Sequence, residues 1–228
     1  MAENPQASSD LLRATLTQIA QNITRADNVG ESDDARDLYY LIDYMSFAVK
    51  QTYPQIPCFK GCSHCCRKYV FRVTELEWRR VRAGLDALAP EVRAETLARN
   101  RRLYGHRREE LEAAGRAWSS GETITRELTE DCPMLVGGRC SVYDDRPAIC
   151  RAYGYSSAEV NGVAKLLICK EETEEWFRQM EAPDVPPFPM PRWNPIHRKL
   201  EALNGIAAIK PLPLWLLELE EAEAAPSA

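Results

Sequence analysis

The chain has 228 residues, with 34 acidic against 29 basic side chains and a formal net charge of −5. That length suits one domain with extensions and can bury a real core, since chains of ~150 residues already bury about two-thirds of their unfolded surface, so neither a disulfide nor a metal is obligatory for folding. The acidic balance excludes a global electrostatic pull toward nucleic acid or anionic membrane, and no stretch approaches the ~20 apolar residues of a membrane span.

In chain order, the first residues, MAENPQASSDLLRATL, carry no basic region followed by an apolar one, so the expectation is a cytoplasmic protein with no secretory leader. Residues 9–27 and 32–52 read as two amphipathic helices, with Leu12, Leu16, Ile19 and Ile23 on one face and Leu38, Ile42, Met45 and Val49 on another. Ser32, followed by Asp33 and Asp34, supplies an N-cap and an acidic first turn for the second. Pro54 and Pro57 end the helical pattern and deliver an extended chain into the block CFKGCSHCCRKY, residues 58–69.

Beyond that block, Thr74 and Glu77 form a capping box ahead of a helix to about Leu88, and a further helix is expected over 90–118. The arginines of the latter, Arg93, Arg99, Arg101, Arg102, Arg107 and Arg108, are interleaved with Glu91, Glu95, Glu109 and Glu110 and read as a solvated face. In CPMLVGGRCSVYDDRPAICR, residues 132–151, two short apolar runs flank Gly137-Gly138, a hairpin signal, because consecutive glycines accept the positive φ of a primed turn. A short strand is expected over 163–168 and a helix over 171–181. From Pro183 onward the chain holds most of its fifteen prolines, which reads as an extended strap or a partly disordered arm, closed by a short apolar helix near LWLLELEE.

The eight cysteines, Cys58, Cys62, Cys65, Cys66, Cys132, Cys140, Cys150 and Cys169, carry the chemistry. A reducing compartment disfavours a disulfide framework, and four soft thiolates around a tetrahedral centre suit Zn²⁺ or the irons of an iron–sulfur cluster. Cys62 and Cys65 form a C-x-x-C pair that can reach one centre, and Cys58 adds a third sulfur. Side chains of the adjacent Cys65 and Cys66 diverge, so one serves this centre while the other faces a second centre or the core. Cys132 and Cys140 flank the hairpin, and Cys150 follows a turn built on Pro147. Arg67, Lys68, Arg139, Arg146 and Arg151 are cations able to offset thiolate charge. His64, inside the first block, reads as a polar loop residue with ligation as the alternative, and His106 and His197 receive no role.

The motifs CSHCCRK and CPML…GGRCSVYDDRPAICRAY resemble the bacterial YkgJ-like cysteine-cluster family, a zinc- or iron-chelating domain, over about residues 58–155. The resemblance implies Cys58, Cys62, Cys65, Cys66, Cys132, Cys140 and Cys150 as ligands, and it implies that Tyr143, Arg146, Pro147 and Arg151 shape the turn and support the ligands from behind. The family name implies C-x-x-C-x-x-C-C, whereas three residues separate Cys58 from Cys62 here. The family is also similar to a flagellin lysine methylase with an iron–sulfur centre, which implies an enzymatic possibility. Cys58, Cys62 and Cys65 spell the C-x-x-x-C-x-x-C of radical S-adenosylmethionine enzymes as well, but no regular alternation of strands and helices follows.

The sequence therefore points to a mainly α protein with a small irregular β hairpin and a cysteine-rich metal-binding core. The expected division is a helical hairpin over 1–53, a cysteine-cluster domain over 54–182 and a proline-rich strap or tail over 183–228. The expected activity is metal binding, of iron as an iron–sulfur cluster or of zinc. The alternatives are an iron–sulfur enzyme of methyl-transfer or radical type and a structural-zinc interaction module. Expected partners are the metal ion and, through the tail, a protein.

Overall fold

The computed structural model describes residues 34–52, 56–67, 69–119, 126–127, 130–160, 162–169, 173–174, 178 and 190–225. In chain order its helices are α1 (Ala35–Thr52), α2 (Glu75–Asp86), α3 (Pro90–Tyr104), α4 (Arg108–Ser119), α5 (Ala148–Ala152), α6 (Trp193–Asn204) and α7 (Leu212–Ala224). Its strands are β1 (Tyr69–Val70), β2 (Arg72–Thr74), β3 (Arg126–Glu127), β4 (Leu135–Val136), β5 (Arg139–Cys140), β6 (Ser157–Val160), β7 (Val163–Leu166) and β8 (Ile209–Pro211). They pair two by two and antiparallel, β1 with β3, β2 with β8, β4 with β5 and β6 with β7. The fold is mainly helical with small strand pairs, as the sequence suggests. The helix expected over 9–27, the Ser32 cap and most of the helix expected over 171–181 lie outside the described residues. Among the described residues no helix is long and apolar enough to cross a membrane.

The chain divides into two compact units, each assembled from two stretches: Lys60–Cys150 with Asn204–Ala228, and Met1–Phe59 with Arg151–Leu203. In the first, Thr74 caps α2 from an extended conformation (φ −70°, ψ 158°) and its hydroxyl accepts the Glu77 N–H, while Glu77 Oε2 accepts the Thr74 N–H at 3.0 Å. Such a reciprocal box contributes about 1 kcal/mol. One face of α2 then buries Trp78, Val81 and Leu85 against Val73, Leu97, Met134 and Val142. The fourth wall is α7, whose Leu212, Trp215, Leu216 and Leu219 enter the same core. The Trp215 indole stacks on Trp78 with centroids 5.7 Å apart and donates its N–H to the Val73 carbonyl at 3.0 Å.

Within the segment expected as a strap or tail, Trp193–Asn204 and Leu212–Ala224 are helical, while residues 183–189 lie outside the described residues. Pro195 sits in the first turn of α6, and Pro211 and Pro213 stand at the cap and first turn of α7, where a missing N–H leaves no helical hydrogen bond unmade. These prolines start helices; they do not prevent them. The helix expected over 90–118 is likewise two, parted by a 3-10 turn at Gly105–Arg107. Tyr104 leaves helical geometry there (φ −125°, ψ −10°), with its ring buried and its hydroxyl donating to the Asp131 carbonyl at 2.9 Å.

Of the arginines of α3 and α4, Arg93, Arg99, Arg101, Arg108 and Arg116 are paired with carboxylates, although Glu91 and Glu95 are not the partners that the contacts show. Arg93 reaches Glu223 at 2.6 Å, Arg101 reaches Glu220, and Arg108 reaches both Glu112 and Glu221. Exposed pairs of this kind contribute about 0–1 kcal/mol each, so they align α7 more than they stabilise it.

In the second unit, Leu38, Ile42, Met45 and Val49 are buried along α1, the stripe read from the sequence. The Asp34 carboxylate accepts the Arg36 N–H at 2.9 Å and so caps the helix. A hairpin of β6 and β7 follows, of which only the second strand was expected. The Asn194 side-chain amide bonds to both backbone groups of Glu159, at 2.7 and 3.0 Å, in the manner of a further strand residue.

Candidate metal centre

The site begins with a short 3-10 turn, His64–Arg67, which carries Cys65 and Cys66. The Cys66 N–H closes the turn on the Ser63 carbonyl at 3.0 Å, and the Cys66 carbonyl in turn accepts the Cys132 N–H at 2.6 Å. That bond draws the two cysteine blocks together through backbone alone. Asp131 adds an ion-pair clasp beside it, receiving Arg99 at 2.8 Å and Arg67 at 3.7 Å.

From Cys132 the chain enters the hairpin of β4 and β5, with Leu135 opposite Cys140. Gly137 and Gly138 take φ of +56° and +78°, a two-residue turn that side chains enter only with strain. A second 3-10 turn, Tyr143–Asp145, leads through Pro147 into α5, which carries Cys150.

Four thiols thereby share one region: Cys66, Cys132, Cys140 and Cys150. Burial and the neighbouring sulfurs push the Cys132 thiol well up, and burial with the charges of Cys66 and Cys140 does the same to Cys150. Cys140 is pushed up to about 11, chiefly by burial. Cys66 alone moves the other way, because the Cys65 S–H donates to its sulfur, helped by the positive charges of Arg146 and Arg67. Arg146 faces three of the four, lowering Cys66, Cys140 and Cys150, and its guanidinium lies 3.8 Å over the Tyr143 ring while donating to the Tyr143 carbonyl at 3.0 Å. Tyr143, Arg146 and Pro147 thus stand in the turn between Cys140 and Cys150.

Cys62 is partly buried on the loop ahead of the 3-10 turn. Cys58 belongs to the other compact unit, where its sulfur abuts Gly154, at φ +90°, so closely that no Cβ would fit, and the Tyr155 hydroxyl donates to its carbonyl at 2.8 Å. Cys169 is buried in that same unit. Arg151 is also there, 5% exposed, paired with Asp43 at 2.5 Å and lying over the Tyr39 ring. No described cysteine is in a disulfide.

Among the described residues, no three of His, Cys, Asp or Glu stand close enough together to grip a metal as they are. The chemistry of the donors fits one nonetheless: four sulfurs, one of them lowered from the ordinary thiol range, beside a fixed guanidinium. Sequence reasoning missed one residue that belongs to this environment. Glu77, read only as half of a capping box, also accepts the Ala148 N–H at 3.0 Å and acts on Cys150 through its charge. The box itself was the available signal, since a carboxylate has a second oxygen to place.

The family model CxxCxxCC, described as "Putative zinc- or iron-chelating domain", matches residues 57–179. The chain belongs to this family. No curated protein and no solved structure matches it. The CxxCxxCC match takes in both cysteine blocks, the hairpin and the Arg-Pro turn, so metal chelation is the activity that the family description attaches to the residues just described.

Proposed function

We propose that Cys66, Cys132, Cys140 and Cys150 are the ligands of one metal centre, and that the protein holds iron, as a thiolate-bound cluster, or zinc in competition with it. The observation that carries the reading is the convergence of these four partly buried thiols beside Arg146, with the Cys132 N–H bonded to the Cys66 carbonyl at 2.6 Å, Cys140 on the hairpin strand opposite Leu135 and Cys150 on α5. Thiolates are ligands in their deprotonated form, so binding must expel protons, against the burial that raises Cys132, Cys140 and Cys150. The cationic Arg146 offsets part of the charge that remains.

Iron is favoured over zinc by the layout of the donors. The four sulfurs come from four separate pieces of backbone, a 3-10 turn, the approach to β4, the strand β5 and the helix α5, and not from the paired knuckles of a zinc ribbon. A complete four-sulfur set leaves no coordination position for water, which supports electron transfer or a structural role over hydrolysis. Expected absorption near roughly 400 nm belongs to such thiolate-held clusters.

The test is elemental analysis of protein purified without oxygen or added metal, for iron, zinc and acid-labile sulfide, with a visible spectrum. The same assay is run on the serine variants of the eight cysteines one at a time. The reading expects metal loss from Cys66→Ser, Cys132→Ser, Cys140→Ser and Cys150→Ser and full retention in Cys169→Ser. Retention of metal by any of the first four would remove that residue from the centre. Zinc in stoichiometric amount without colour would replace iron as the occupant.

A further inference from the structure

The Glu77 carboxylate has two oxygens with different work. Oε2 accepts both the Thr74 N–H, at 3.0 Å, and the Thr74 hydroxyl, at 2.8 Å, which completes the cap of α2. Oε1 is not needed for that cap and accepts the Ala148 N–H at 3.0 Å, two residues before Cys150. The side chain is 4% exposed, and it brings a carboxylate close to a region already crowded with potential thiolates. An anion is a poor choice for a mere helix cap in such a place, because burying a charge costs unless its hydrogen bonds are fixed.

The same helix grips the preceding turn at two further points. Arg80 donates to Asp145 Oδ1 at 3.2 Å and to the Asp144 carbonyl at 3.1 Å, and Asp145 packs directly on the bare Cα of Gly84. Along its length, α2 is a splint for the segment from Tyr143 to Cys150.

We infer that Glu77 is a positioning residue for the metal centre: through the Ala148 amide it fixes the start of α5 and hence the place of the Cys150 sulfur among the other three. This rests on the ligand set proposed above. Glutamine at the same position serves a capping box as well as glutamate does, since its carbonyl oxygen can still accept from Thr74. Its NH₂ would then face the Ala148 N–H, donor against donor. Glu77→Gln therefore keeps the cap and breaks the tie.

The experiment titrates Co²⁺ into the metal-free full chain under argon against a competing chelator, reading affinity and the thiolate-to-cobalt absorption. Wild type is compared with Glu77→Gln, Ala148→Pro, Val81→Ala and Cys150→Ser, with each variant's stability measured by urea denaturation. Ala148→Pro deletes the donor and leaves the cap of α2 in place, proline being accepted at the first helical position. Val81→Ala opens the buried core without touching the tie.

Glu77→Gln and Ala148→Pro are expected to bind Co²⁺ about 10–100-fold more weakly, the usual loss when a group behind a ligand is removed, with reduced thiolate-to-cobalt intensity. Val81→Ala is expected to lose stability and keep affinity and spectrum. Wild-type affinity and spectrum in Glu77→Gln and Ala148→Pro, with Cys150→Ser impaired, would make Glu77 a cap and nothing more. An equal affinity loss in Val81→Ala would overturn the inference too, by tracing the effect to stability. Wild-type affinity in Cys150→Ser would instead sink the ligand set itself.

Discussion

Gly84 carries no side chain because Asp145 occupies the space: a Cβ there would lie 2.6 Å from Asp145 Oδ2. Gly84→Ala must push α2 away from the turn ahead of Pro147, and overpacking of this kind costs about 1–3 kcal/mol. Urea denaturation of the metal-free protein should show that loss, and Asp145→Gly should recover part of it in the double variant. A second residue gives a pH signature. Burial raises the Glu77 carboxyl above the ordinary carboxylate range, against the lowering effect of the donors from Thr74 and Ala148. A carboxyl raised in the folded state adds stability that is complete below its unfolded value, about 4.3, and is lost as pH rises through the folded one. Relative to Glu77→Gln, the wild type should lose stability as pH climbs from about 4.3, and a stability difference that stays flat with pH would contradict the burial effect.

Elements were legible in the sequence where a local rule governs them. The α1 stripe, the Thr74–Glu77 box, the Gly137-Gly138 hairpin and the apolar helix at LWLLELEE all rest on neighbours within a few residues. What could not be read locally is the pairing of β2 with β8, since Thr74 meets Ile209 and nothing near either residue announces the other. The same limit applies to the thiols. Spacing groups Cys58, Cys62 and Cys65, whereas the structure brings Cys66 to the second block through a backbone bond to Cys132 that no motif encodes. At this scale the hairpin turn is the sensitive part: Gly138→Ala at φ +78° strains the backbone by about 1–2 kcal/mol and loosens the link between Cys132 and Cys140. The expected result is a lower melting temperature and faster loss of metal to a chelator, with Gly138→Asn milder than Gly138→Ala because asparagine tolerates that conformation better.

For the whole molecule, the proposed ligand set would tie together segments distant in sequence, and the free energy of binding would add to the stability of whatever it ties. Hydrogen exchange of metal-loaded and chelated protein should differ at residues 64–67 and 132–150, while the amides of α1 exchange at the same rate in both. Uniform protection changes along the chain would show that the metal acts on the fold as one block. A related matter of timing follows from where α7 packs. Its Trp215, Leu216 and Leu219 are walls of the core against which Cys132 and Cys140 lean. On the ribosome, both cysteine blocks emerge well before that wall exists, so the nascent thiols wait in water while nearly seventy further residues are made. Completion of the proposed centre therefore waits for α7, and until then the thiols are open to oxidants and to whichever thiophilic ion reaches them first.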